Sequence, residues 1–130
     1  IFMKVKVSIG ELLDKLSILE IKSLNIEDSD KLDNVRVELE ALTPHYIKLI
    51  KEFGHPLKDL FLKLSSINQE LWFIEDEIRL YEKKKDFGER FIELARSVYR
   101  ENDKRASVKK QINLLTGSKI TEEKSYEKYE

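Results

Sequence analysis

Residues 57–84 read LKDLFLKLSSINQELWFIEDEIRLYEKK, and residues 89–115 read ERFIELARSVYRENDKRASVKKQINLL. In the first stretch Leu57, Leu60, Leu64, Ile67, Leu71, Ile74, Ile78 and Tyr81 recur at alternating spacings of three and four. In the second, Phe91, Leu94, Val98, Glu101, Arg105, Val108, Ile112 and Leu115 keep the same alternation. This is the period of a helix that buries one narrow seam. The two seams are mirror images about Asp86. Folding the chain back there sets Leu57 opposite Leu115, Leu60 opposite Ile112 and Leu64 opposite Val108. It also sets Ile74 opposite Val98, Ile78 opposite Leu94 and Tyr81 opposite Phe91. A tight turn between two such helices demands a mirror, because the seams must face each other along their whole length. The charges fit the same register, with Glu70 falling beside Lys104.

Two layers break the apolar rule: Ile67 meets Arg105, and Leu71 meets Glu101. Beside them Asn68 and Asn102 are roughly opposed. That flank continues with Phe61, Trp72, Glu75 and Arg79 on one helix, and with Ala95, Tyr99, Ala106, Lys109 and Asn113 on the other. The opposite flank is mostly Lys, Arg and Glu and reads as solvated.

Working outward, Ser8-Ile9-Gly10-Glu11 reads as a capping box, each end satisfying a backbone donor of the other. A first helix follows to about Ser23, with Leu12, Leu13, Leu16 and Leu19 on one side and Ile18 and Ile21 on a second. After a turn over residues 25–30, Ser29 or Asp30 caps a second helix from about Lys31 to Phe53. Its stripe of Leu32, Val35, Leu39, Leu42, Tyr46, Leu49 and Phe53 continues in phase across Pro44, which predicts a kink rather than a break. Gly54-His55-Pro56 separates it from the third helix. Asp86 with Glu89 reads as another capping box, and Gly117 as a helix-ending residue. The expected fold is all-α: two antiparallel helical hairpins forming a four-helix bundle, with the coiled-coil-like helix 3–helix 4 hairpin as its spine. Residues 1–117 form one helical domain, and 118–130 a tail that is extended or partly disordered. Met3 reads as the natural start.

Composition narrows the function classes. Of 130 residues, 38% are charged, yet 24 basic and 25 acidic residues are interleaved to a net charge of -1, so no basic footprint argues for nucleic acid. No cysteine is present, which removes disulfides, Cys-ligated zinc and Cys nucleophiles and fits a cytoplasmic location. No apolar run approaches the roughly 20 residues of a membrane span. The two histidines, His45 and His55, each neighbour a proline and make no i, i+4 metal pair. Ser17, Ser65, Ser66 and Ser97 read as ordinary helix residues, outside any nucleophile motif.

The candidate site is the polar cluster Asn68, Trp72, Glu75, Arg79, Tyr99, Asn102, Arg105 and Lys109. It reads either as a pocket for a small anionic or sugar-like ligand, or as a structural polar layer that sets register. The structural layer is the favoured reading. A magnesium site would need Glu75 together with Glu11 and Asp14, the other carboxylates within reach. The heptad turns Asp76 and Glu77 outward, so neither metal nor cofactor is expected.

Three segments carry a resemblance: Val7-Ser8-Ile9-Gly10-Glu11-Leu12-Leu13-Asp14-Lys15-Leu16-Ser17-Ile18-Leu19-Glu20, Leu71-Trp72-Phe73-Ile74-Glu75-Asp76-Glu77-Ile78-Arg79, and Phe91 to Tyr99 running on through Asn102-Asp103-Lys104-Arg105 to Ile112-Asn113. With the Glu123-Lys124-Ser125-Tyr126 tail, the chain resembles a family of small bacterial and phage proteins of unknown function. The resemblance implies an accessory role near sugar-transfer and surface-polysaccharide steps, and it supplies no catalytic residue to carry over. It adds Arg96 and Asp103, which the heptad turns outward, as a partner surface. The expectation from the residues is a non-enzymatic helical interaction or accessory protein. The alternative is a small all-helical enzyme or binder of a phosphorylated sugar or nucleotide. A homodimer is expected because helix 1 is apolar on two sides, and a protein partner fits the same reasoning.

Overall fold

A computed structural model describes residues 1–120 and 122–129 of the chain. Thr121 and Glu130, which belong to the expected tail, lie outside the described residues. The fold is all-α. It comprises α1 (Ile9–Asn25), α2 (Ser29–Phe53), α3 (His55–Lys84) and α4 (Glu89–Thr116), with no strand among the described residues. The helices α3 and α4 pack closely as a long hairpin, and α1 touches all three other helices. No helix among the described residues is long and apolar enough to cross a membrane.

Seam residues Leu57, Leu64, Leu71 and Ile74 of α3 and Leu94, Val108 and Ile112 of α4 are buried. The central core joins Leu57, Phe61, Leu64, Val108 and Ile112 to Leu13 and Leu16 of α1. Burying each of these side chains is worth about 1.5–3 kcal/mol. Leu39, Leu42, Tyr46, Leu49 and Phe53 of α2 lie half-buried against that core, with the Tyr46 ring 4.7 Å from Phe61. Of the second side of α1, Ile21 is buried and Ile18 lines a cleft beside α3.

The ends of the helices differ from the expected caps. Ser8 Oγ accepts the Glu11 amide at 3.0 Å as expected. Glu11 does not return the bond: its carboxylate goes to Lys109 instead. Asp28, not Ser29 or Asp30, caps α2 by accepting the Lys31 amide. Asp86 and Glu89 form no capping box. Asp86 Oδ1 takes the Gly88 amide at 3.1 Å, Gly88 is the N-cap, and Lys85 turns the chain at φ 57. A two-residue Asx turn satisfies Asp86 locally, so its side chain is not available to the helix. The helix α2 runs unbroken through Pro44, and Gly54 separates it from α3 at φ 66. Lys104 pairs with Glu101 on its own helix at 2.9 Å rather than with Glu70 across the hairpin.

Candidate functional site

Gly10, Asp14, Ser17 and Ile21 are spaced four, three and four apart, so they share one face of α1. All four are buried. At Gly10 the absence of a side chain lets α1 lie directly on α4: an added Cβ would sit 2.7 Å from the Lys109 carbonyl oxygen. The first amides of a helix have no partner within it. Here α4 and the chain beyond it supply two: the Gly10 amide donates to Asn113 Oδ1 at 2.7 Å, and the Ile9 amide to Ser118 Oγ at 3.3 Å.

One turn further on, Asp14 is only 1% exposed. Its carboxylate is held by a fork: Arg105 Nε donates to Oδ1 at 2.8 Å, and Nη2 donates to Oδ2. Asn68 Nδ2 donates to Asp14 Oδ1 at 2.9 Å and to Ser17 Oγ at 2.8 Å. The Ser17 hydroxyl in turn donates to the Asp14 carbonyl oxygen at 2.7 Å. Three helices therefore meet at one carboxylate. The hydrogen bond to Asp14 raises the Arg105 pKa above its ordinary value, with burial working against it.

Lys109 lies one helical turn along α4. Its ammonium is shared by Glu11 at 2.7 Å and by Glu122 of the tail at 2.9 Å, with Asp14 at 4.0 Å. Burial alone would lower the lysine pKa, but the bonds to Glu11 and Glu122 outweigh it and the net shift is upward. The same ammonium pulls Glu122 below its ordinary value. A carboxylate depressed in the folded state stabilises above its unfolded pKa, and that stability is lost as pH falls through the folded value. The Lys109–Glu122 contact is therefore expected to be lost in acid. The loss begins as pH drops past the ordinary 4.5 and finishes below the depressed value. Amide exchange around Glu122 followed by NMR against pH would show it, and Glu122→Gln should remove that pH dependence. Half-exposure of Glu122 makes this contact salt-sensitive.

Beside this network is an open cleft of about 480 Å³, lined by Ile18, Asn68, Leu71, Trp72, Glu75, Asp76, Arg79, Asn102 and Arg105. Six of the eight cluster residues thus line one cleft: Asn68, Trp72, Glu75, Arg79, Asn102 and Arg105. Lys109 faces a neighbouring cleft under the tail, where Arg105 and Asn102 also reach. Tyr99 is set apart from both and packs on Tyr129 with ring centroids 5.1 Å apart. Arg79 is paired with Glu75 one turn before it. Arg96 and Asp103 are exposed, and Asp103 borders the tail near Tyr126 and Tyr129. The carboxylates weighed for magnesium are each taken by a different cation: Glu75 by Arg79, Glu11 by Lys109 and Asp14 by Arg105.

The network also draws on residues outside the eight of the cluster: Gly10, Glu11, Asp14, Ser17, Asn113 and Glu122. Ser17 is not an ordinary helix residue, since it is fully buried and bonded on both sides. The signal was the small and polar stripe at helical spacing on an otherwise apolar helix, facing Arg105, Lys109 and Asn113 at spacings of four. No curated protein and no solved structure matches the chain. The model of a family of unknown function (DUF6165) matches residues 3–129, nearly the whole chain, and the segments that carry the resemblance fall inside it. The chain, with its Gly10–Asp14–Ser17 stripe docked on the hairpin, belongs to that family of unknown function, DUF6165.

Proposed function

We propose that this protein is a non-enzymatic helical accessory module whose polar cluster holds α1 on the hairpin, leaving the hairpin surface to a protein partner or a second copy. One observation carries the reading. Each cation of the cluster is already neutralised from within: Arg105 by Asp14, Lys109 by Glu11 and Glu122, and Arg79 by Glu75. A site built to hold a phosphate keeps its guanidinium fork or ammonium open for the ligand. Here the fork is spent on a buried aspartate. Phe73, Leu80, Phe87 and Ile92 are each about half exposed on the hairpin, which supports a docking role for that surface. The link to sugar-transfer or surface-polysaccharide steps belongs to the same reading, as the setting in which such a module would act.

The test is a melting-temperature screen against nucleotides, sugar nucleotides and phosphosugars, with and without magnesium. A ligand at 100 times its dissociation constant adds about 2.7 kcal/mol, a visible shift. We expect none from these anions. A phosphorylated compound that raises the melting temperature and is turned over would overturn the reading and put a small helical enzyme in its place.

A further inference from the structure

We infer that the cleft beneath Trp72 binds an uncharged ring-bearing ligand with hydrogen-bond donors, such as a nucleoside or a neutral glycoside, and not an anion.

Asn68 is only 4% exposed, and its amide nitrogen is turned toward α1, where it donates to Asp14 and Ser17. Nothing among the described residues donates to its carbonyl oxygen. Among the described residues, Ser65 Oγ is the fully enclosed side-chain polar atom without a partner. The Asn68 oxygen is therefore not sealed, and the opening that Asn68 lines is the Trp72 cleft. A buried acceptor left without a donor costs about 1–3 kcal/mol unless water or a ligand meets it. Asn68 cannot rotate to hide it, because Asp14 and Ser17 both require the amide nitrogen on their side.

The rest of the cleft sets the ligand class. Trp72 offers an aromatic face and an indole N–H with no acceptor among the described residues, and Ile18 and Leu71 add apolar surface. A ring can stack there while a hydroxyl or amino group donates to the Asn68 oxygen. The charges oppose an anion. Arg79 and Arg105 are matched by Glu75 and Asp14, and Asp76 on the rim adds a negative charge with no cation paired to it among the described residues. The volume of about 480 Å³ lies within the range of small-molecule sites, roughly 300–1,000 Å³.

Trp72 is the sole tryptophan of the chain, so its fluorescence reports on this cleft alone. The test titrates the full chain with two neutral sets, the four common ribonucleosides and the methyl glycosides of glucose, galactose and N-acetylglucosamine. Each compound is compared with its phosphate ester. At least one neutral compound should change Trp72 emission saturably, and its phosphate ester should bind no more tightly. Which set responds identifies the source of the ring. Calorimetry with Trp72→Ala should show the dissociation constant raised at least about tenfold, the loss of one stacking contact, with the melting temperature near that of the parent. If no neutral compound gives a saturable change, or if phosphate esters bind more tightly, the inference is overturned. A Trp72→Ala protein that loses stability while no ligand binds would make Trp72 a packing residue only. Turnover of a bound compound would instead overturn the non-enzymatic reading and leave the cleft standing.

Discussion

Replacing Arg105 with Ala should destabilise the fold by about 3 kcal/mol, the low end of what breaking a buried ion pair costs. The reason lies in which charge is left behind. Asp14 is almost completely enclosed, whereas the Arg105 side chain retains 29% exposure. Removing the guanidinium leaves an enclosed carboxylate with one amide donor, from Asn68, and the Lys109 ammonium 4.0 Å away. Removing Asp14 instead strands a cation whose far end can turn toward solvent. Arg105→Ala should therefore cost more than Asp14→Ala, although both delete the same pair. Arg105→Lys should recover only part of the loss, because an ammonium cannot bridge both carboxylate oxygens as the fork does. The double change Asp14→Asn with Arg105→Met should cost less than Arg105→Ala alone, since it removes the stranded charge and keeps an acceptor for Asn68. Urea unfolding of the four variants, followed by circular dichroism, measures all of this. An Arg105→Ala protein within about 0.5 kcal/mol of the parent, the range of a plain surface change, would mean that Asp14 does not lock α1 to the hairpin.

That lock could not be read from the chain, while the hairpin could, and the difference is physical. The seams of α3 and α4 are repeats, and a repeat reports its own partner. Leu57, Leu64, Leu71, Ile74, Leu94, Val108 and Ile112 are buried where their spacing put them. Leu60, Ile67, Ile78 and Tyr81 follow the same spacing but stay half-buried, because α1 and α2 cover one flank of the hairpin and leave the other to solvent. The Asp14–Arg105 pair is a single contact between residues 91 positions apart. No periodicity links them, and an Asp between Leu13 and Leu16 reads as the solvent side of an amphipathic helix. What the sequence did hold was a mismatch of small and polar residues, Gly10, Asp14 and Ser17, at helical spacing along α1. Only a carboxylate with a buried partner resolves that mismatch. The polar layer on the hairpin was visible because it interrupts a repeat, but its counter-charges were not, since three of them, Glu11, Asp14 and Glu122, come from outside the hairpin. Without them the layer reads either as a structural polar layer or as an anion site with open cations. With them it becomes an internal clamp beside a neutral cleft.

The second large effect is expected at Gly10, where Gly10→Ala should cost about 2–4 kcal/mol. Alanine in a helix ordinarily gains about 0.5–1 kcal/mol over glycine, so the sign itself tests the packing. The new methyl group would lie 2.7 Å from the Lys109 carbonyl oxygen and 2.9 Å from Asn113 Oδ1, distances that force α1 away from α4. Moving α1 lengthens the Gly10–Asn113 bond and pulls Asp14 back from Arg105, so one methyl group weakens contacts along the whole stripe. Asn113 could swing aside, but the carbonyl belongs to the α4 backbone and cannot. Adding Asn113→Ala should therefore fail to rescue Gly10→Ala, and should make it worse by removing the acceptor for the Gly10 amide. Gly117→Ala is the contrasting case. Nothing lies within 4 Å of its added Cβ, and its φ of +66 is the reason for glycine there. That substitution should cost only the left-handed penalty of about 1–2 kcal/mol, without opening α1. Limited proteolysis in the link between α1 and α2 separates the two: Gly10→Ala should expose it to cleavage, and Gly117→Ala should not. A Gly10→Ala protein as stable as the parent would mean that α1 does not lie flush on α4, and the clamp built on Asp14 would then lose its geometric basis.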